Sequence, residues 1–395
     1  MSTFIVLVII SLLVIIHELG HFILAKKNKI KVEEFGLGYP PKIYKLFKWR
    51  GTEFTLNAIP FGGFVRLEGE DGPEVEKDKK STKPTSSQSE KSSEDGLEPF
   101  YKKSSKSRIA VILAGSVVNF LFGVVAFTII FSVMGIPTPL GDQPRIDEIA
   151  IDSPAEKAGL PTDVNLLSIK IDDQEISVKT IEDVQKIINE NLGKTVEIKT
   201  TGKCEEKICI PTSQKFSVYL RTKDEIPEGQ GSIGVAFANI YFKYYPWYEM
   251  PVRGAFYGLG QAFMLGGMIL QALGNVFADL FRGRGLAEDI AGPVGIVHQA
   301  QEGDLFQQGF LTWLNFAGML SVNLAVMNML PIPALDGGRA LFIFLEKIIG
   351  KKIIQKVEGY VNYGGFALLL ALIILVTIRD VSRIEIVREL FSQIL

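Results

Sequence analysis

The chain has 395 residues, 47% of them hydrophobic, and a formal charge of −2, with 42 Lys and Arg set against 44 Asp and Glu. That balance excludes a strongly basic surface, so no nucleic-acid partner is expected. The apolar residues are gathered into long runs separated by charged sequence, the pattern of a polytopic membrane protein.

The first run, Phe4 to Ala25, is long enough to cross a bilayer and contains IIHELGHF. It is read as a retained span, not a cleaved signal peptide: no basic residue precedes it and no small-x-small site follows. Lys26, Lys27, Lys29 and Lys31 lie just past its end, which places the N-terminus outside and residues 26–108 in the cytoplasm. Lys102, Lys103, Lys106 and Arg108, and later Lys347, Lys351, Lys352 and Lys356, agree with that orientation.

Within 1–71, the stretch KVEEFGLGYPPKIYKLFKWRGTEFTLNAIPFGGFVRLEGED alternates apolar and polar residues between Gly and Pro. It predicts short strands and hairpins. Residues 72–107 turn to Lys, Glu, Ser and Pro and are expected to be a disordered cytoplasmic loop. A second span lies in 108–140. An α+β module follows over 141–240, with strands in RIDEIAI, VNLLSIKID, TVEIKTT and KFSVYLRT. Its helices are TIEDVQKIINENL, capped by Thr180 with Asp183 three residues on, and SPAEKAGL, started by Ser153-Pro154 and stopped by Gly159. Cys204 and Cys209 form a short-loop disulfide if the module is outside, and are otherwise two reduced thiols.

The apolar stretch 254–281 either crosses or stays external, lying on or dipping into the interface. The external reading is preferred for 241–311, because it brings the end of the next span to the depth of the histidines. That gives four transmembrane helices, the last two in 312–395. The third runs through SVNLAVMNMLPIPALDGGR and should break between Asn328 and Pro333, beside Asp336. Broken backbone at membrane depth must be buried in protein or line a cavity.

On a helix, His17 and His21 share a face and can present two imidazoles to one ion, with Glu18 beside them. A catalytic zinc site needs three protein ligands and an open position. The only other histidine, His298, is in the connection ahead of the third span, so Asp336 is the better third ligand. One Zn2+ per chain would then acidify a water, with Glu18 as general base. Two alternatives remain at this stage: a membrane metal-handling transporter using the same ligands, and a scaffold with a non-catalytic metal site.

HELGH, GTEFTLNAIPFGGFVRLEGED, AGSVVNF and NMLPIPALDGGR together resemble the site-2 proteases, most closely those of the bacterial regulator of sigma-E protease type. The resemblance covers nearly the whole chain. It implies an intramembrane zinc endopeptidase of the bacterial cytoplasmic membrane, with both termini extracytoplasmic and the active site near the cytoplasmic side. Its implied substrates are single-span membrane proteins, such as anti-sigma factors already trimmed outside, and remnant signal peptides. It implies substrate-binding roles for Asn323 and Asn328, and for Gly36, Gly38, Phe61, Gly62 and Gly63 in a membrane-associated β-hairpin that pairs with an unwound substrate. SPAEKAGL and GSIGVAF resemble a single PDZ domain, with a peptide as its ligand. Membrane lipids are the remaining expected partner.

Overall fold

The computed structural model describes residues 2–70, 96–140, 144–205, 208–227, 229–238, 240–283, 295 and 309–383. The chain divides into two compact units, Met1–Ile130 with Ala255–Leu395, and Phe131–Gly254.

Helix α1 (Ser2–Lys27) is rich in Leu, Ile and Val and contains no proline. Its 26 residues rise about 39 Å, enough for a hydrocarbon core of about 30 Å. Two long strands follow, β1 (Val32–Trp49) and β2 (Thr52–Leu67). Each doubles back, so residues 32–37 pair with 63–67 on one side and with 53–56 on the other, while 42–48 pair with 53–57. The result is a small antiparallel sheet whose edges, unpaired among the described residues, are 42–48 and 63–67. Gly38 and Gly62, at φ +77° and +68°, supply the left-handed turns that let the strands bend. Phe35 and Phe54 pack edge-on against Phe22 of α1, with ring centroids 5.5 and 5.6 Å away, and fasten the sheet to the helix.

The expectation of a disordered loop over 72–107 does not hold for its last part. Residues 71–95 lie outside the described residues, but 96–107 are ordered. Phe100 is buried with Phe22, Ile30 and Val32, and the backbone of Glu98 is bonded to Lys29 and Lys31. One aromatic anchor overrides the polar composition around it.

Helix α2 (Ser105–Met134) crosses α1 closely: a Cβ on Gly20 would sit 2.6 Å from the Ala114 carbonyl oxygen. Short strand β3 (Ile136–Pro139) then leads into the second unit. There, β4 (Arg145–Ile149), α3 (Pro154–Lys157), β5 (Val164–Ile171), β6 (Gln174–Ser177), α4 (Ile181–Glu190), β7 (Thr195–Thr200), β8 (Cys204–Glu205), β9 (Ile208–Cys209), β10 (Gln214–Tyr219) and β11 (Val235–Ala238) form an α+β module. Its sheet runs β10-β7-β5-β4-β11, with β6 on β5. Ile146, Leu166, Ile169, Val184 and Ile198 are among its core residues. Ser153 caps α3, Gly159 takes φ +70°, and Thr180 and Asp183 make a reciprocal capping box, all at the expected positions. Cys204 and Cys209 are joined by a disulfide across the β8–β9 pair. Strand β12 (Ile240–Lys243) pairs with β3.

Helix α5 (Met250–Phe281) covers the ambiguous stretch. It packs lengthwise along α2: Gly258 abuts Thr128, and the Phe263 ring lies 5.1 Å from that of Phe120. Helix α6 (Phe310–Met329) ends where the break is expected, and α7 (Asp336–Ile349) starts at the acidic residue. Helix α8 (Lys351–Arg383) follows. Five helices among the described residues are long and apolar enough to cross a membrane, within α1, α2, α5, α6 and α8.

Candidate active site

Gly20 allows α1 and α2 to approach, and this aims both histidines at the backbone of α2. His21 Nδ1 lies 2.8 Å from the Val111 carbonyl oxygen and donates to it. That bond fixes the tautomer and leaves Nε2 as the free donor of electron density. His17 Nε2 lies 3.1 Å from His21 Nε2. Gly115 faces this pair directly: a Cβ there would fall 2.5 Å from His21 Nε2 and 2.7 Å from His17 Nε2.

The break between α6 and α7 delivers the third group. Met329 is the last residue of α6, and residues 330–335 form a tight turn in which Ala334 takes φ +71°. The Asn362 side chain of α8 accepts the Ala334 N–H at 3.2 Å. Gly337 and Gly338 lie so close to the carbonyls of Met329 and Ile332 that a Cβ would sit 2.3 and 2.1 Å from those oxygens. Asp336 is thereby placed with Oδ2 2.9 Å from His17 Nε2 and 3.4 Å from His21 Nε2.

These three atoms form a triangle with edges of 2.9, 3.1 and 3.4 Å. Tetrahedral zinc with bonds of roughly 2.0–2.1 Å sets its ligand atoms about 3.3 Å apart. The triangle matches that spacing with slight contraction, and its donor set of two imidazoles and one carboxylate suits zinc. Glu18 joins His17 and His21 in a cluster whose ligand atoms lie within 4.8 Å of one another. The backbone N–H of Val65, on the edge segment of β2, faces the Glu18 carboxylate. A cavity of about 210 Å³ opens here, lined by Glu18, His21, Phe64, Val65, Asp336 and Arg339 among others.

The remaining expected residues fall into two groups. Gly62 and Gly63 lie against Val14 and Ile15 of α1, one turn before His17, so the 63–67 edge runs beside the site. Phe61 is exposed just ahead of them. Gly36 and Gly38 are in the neighbouring segment, packed against Phe64, Asn57 and the Ile59 carbonyl. Asn323 and Asn328 lie on the last turns of α6, both half-buried.

Asn119 has a part that sequence reasoning did not assign. It is fully buried, with its amide nitrogen 3.5 Å from His17 Nδ1 and Oδ1 left without a partner. With His17 Nε2 directed to a metal, Nδ1 carries the hydrogen. Turning the nearly symmetric amide then lets Asn119 Oδ1 accept it and satisfies both atoms. Ser321 Oγ of α6 donates to the Asn119 carbonyl at 2.8 Å and fixes that turn of α2. The signal in the sequence was an asparagine inside an apolar span.

Residues 5–372 match the model of peptidase family M50. The chain belongs to that family, and it is a zinc metalloprotease. Over 439 residues it is 31% identical to the zinc metalloprotease RasP of Oceanobacillus iheyensis, covering 95% of this chain and 97% of that protein. It is 28% identical over 439 residues to the regulator of sigma-W protease RasP of Bacillus subtilis, covering 96% and 97% respectively. The site-2 protease resemblance is borne out, and the transporter and scaffold alternatives are set aside.

Proposed function

We propose that this protein cleaves single-span membrane proteins within their apolar segments, at a zinc centre held by His17, His21 and Asp336. The observation that carries the reading is the convergence of those three ligand atoms beside Glu18, between apolar helices and under a free strand edge. Zinc, when bound, supplies a Lewis acid for the scissile carbonyl and lowers the pKa of a water. Glu18 takes the proton of the attacking water and passes it to the departing amine. Glu18 and Val65 line the same cavity, with the Val65 N–H facing the carboxylate. Asn119 and the Val111 carbonyl fix the two imidazoles, and Gly115 leaves them room.

A transmembrane helix must unwind before its peptide bonds are open to attack, and its freed backbone groups then need partners. The 63–67 edge offers such partners by strand addition, with Gly62 and Gly63 keeping it close to α1. Gly36 and Gly38 support that edge from the neighbouring segment, Phe61 meets the substrate side chains, and Asn323 and Asn328 hold its backbone from α6. In this reading α1, α2, α6 and α8 cross the bacterial cytoplasmic membrane, α5 dips into it from outside, and the N-terminus and the 141–240 module are extracytoplasmic. The disulfide of that module fits an oxidising compartment. The module is read as a PDZ domain that takes a peptide ligand. Substrates are anti-sigma-factor-like proteins already trimmed outside, and remnant signal peptides.

The test is full-length enzyme in lipid nanodiscs with a single-span substrate, in trimmed and untrimmed forms, and mass spectrometry of the products. The reading expects a cut inside the apolar span and faster turnover of the trimmed form. A cut confined to the water-exposed flank overturns it.

A further inference from the structure

Arg339 closes the motif LDGGR and has no part in the chemistry described above. It lies one helical turn past Asp336 on α7 and lines the same cavity as Glu18, His21 and Asp336. Its guanidinium is paired with the carboxylate of Glu70, which lines that cavity from the opposite end of the chain. Glu70 also accepts the Leu67 N–H at 3.4 Å, and Leu67 is the last residue of β2. One carboxylate therefore ties the end of the free strand edge to the helix that carries a metal ligand. The helix side of this tie is rigid. Its first turn is locked by the close approach of Gly337 and Gly338 to the preceding carbonyls, and its far end by the buried pair of Arg108 with Glu346.

We propose that Arg339 and Glu70 are positioning residues that set the register of the substrate strand against the metal centre. The proposal rests on the strand-addition reading of the 63–67 edge. Main-chain pairing alone does not fix register, because an added strand can slide by two residues and make the same bonds. For each such register, the position of the edge relative to Asp336 sets which peptide bond can meet the metal centre, so a fixed edge restricts the productive register. At its other end the edge runs beside apolar side chains of α1 at Gly62 and Gly63. The Glu70–Arg339 pair is a directional contact between the strand end and α7.

A surface ion pair with no such role contributes little to stability, so the test reads cleavage position as well as rate. Full-length Arg339→Glu, Glu70→Arg and the double swap are compared with wild type, using a single-span peptide substrate in nanodiscs. Each single variant is expected to keep one zinc per chain and to lose about tenfold or more in kcat, on the scale of a misplaced reacting group. Its cuts should spread to neighbouring bonds two residues away, and the double swap should restore both rate and single-site cleavage. Arg339→Lys, which keeps the charge without the fork, should broaden the cut sites less than Arg339→Glu. Unchanged cut sites in both single variants overturn the proposal, as does zinc loss in both without rescue by the swap. A substrate N-methylated at alternate amides around the scissile bond separates the two ideas. If that substrate is cut normally, the strand-addition reading fails. If it resists while the charge variants cut at the wild-type bond, the register proposal fails alone.

Discussion

Gly115→Ala adds one methyl group at the most crowded point of the site. The new Cβ would lie 2.5 Å from His21 Nε2 and 2.7 Å from His17 Nε2, whereas ordinary contact begins near 3.4 Å. One or both imidazoles must therefore retreat by up to about 0.9 Å, from 2.5 Å to that limit. Zinc bond lengths tolerate about ±0.2 Å, so the ligand triangle cannot survive the change intact. A loss of about 100-fold in zinc affinity is expected, the upper range for disturbing the shell around metal ligands. Folding should not suffer in the same way, because Ala favours a helix over Gly by about 0.8–1 kcal/mol. The assay is zinc per chain by atomic emission, with a competing chelator to read affinity, beside thermal unfolding of the metal-free protein. Gly260→Ala is the control, since nothing lies within 4 Å of its Cβ position, and its zinc should be unchanged. Wild-type zinc affinity in Gly115→Ala would refute the placement of α2 against the histidines.

Three further outcomes follow from the same geometry. Asn119→Leu should weaken zinc by about 10- to 100-fold through the loss of the His17 partner, while Asn119→Asp, which keeps an acceptor, should retain most of it; equal loss in both removes Asn119 from this role. Thr180→Ala should cost about 1 kcal/mol of helix stability, seen as faster hydrogen exchange over Ile181–Glu190 in the full chain. Asp183, held below the usual carboxylate range by the N–H groups of Lys179 and Thr180, makes that helix sensitive to acid. Because the folded value is the lower one, its contribution is present above the unfolded pKa and fades as pH falls through the folded one. Protection of α4 should therefore decline below about pH 4, and Asp183→Asn should abolish that dependence.

Local signals in the sequence carried far. HELGH predicts its own helix face, Pro331 and Pro333 announce the break before Asp336, and Thr180, Ser153 and Gly159 mark helix ends where they are found. Each depends on residues within a turn or two of one another. The doubled-back sheet was legible only as strands, because residues 32–37 choose partners on both sides and spacing does not say which. Ordered 96–107 was hidden because one buried Phe100 outweighs the polar residues around it. Gly115 leaves no periodic trace, since a glycine in an apolar helix looks the same whether it faces lipid or two imidazoles. Asn119 was visible as an anomaly, but its partner His17 lies 102 positions away. Glu70 was one charge among many, and Arg339 a lone cation ahead of an apolar run, until the fold brought them together.

The central claim is that Glu18 performs proton transfer at a zinc ion held by His17, His21 and Asp336. The direct measurement is paired zinc content and cleavage of a single-span substrate by purified wild type, Glu18→Gln and Asp336→Ala. The expected result is one zinc per chain in wild type and in Glu18→Gln, a rate in Glu18→Gln lower by about 10²–10⁴-fold, and depleted zinc in Asp336→Ala. Full activity in Glu18→Gln with zinc retained, or undiminished zinc in Asp336→Ala, would contradict it.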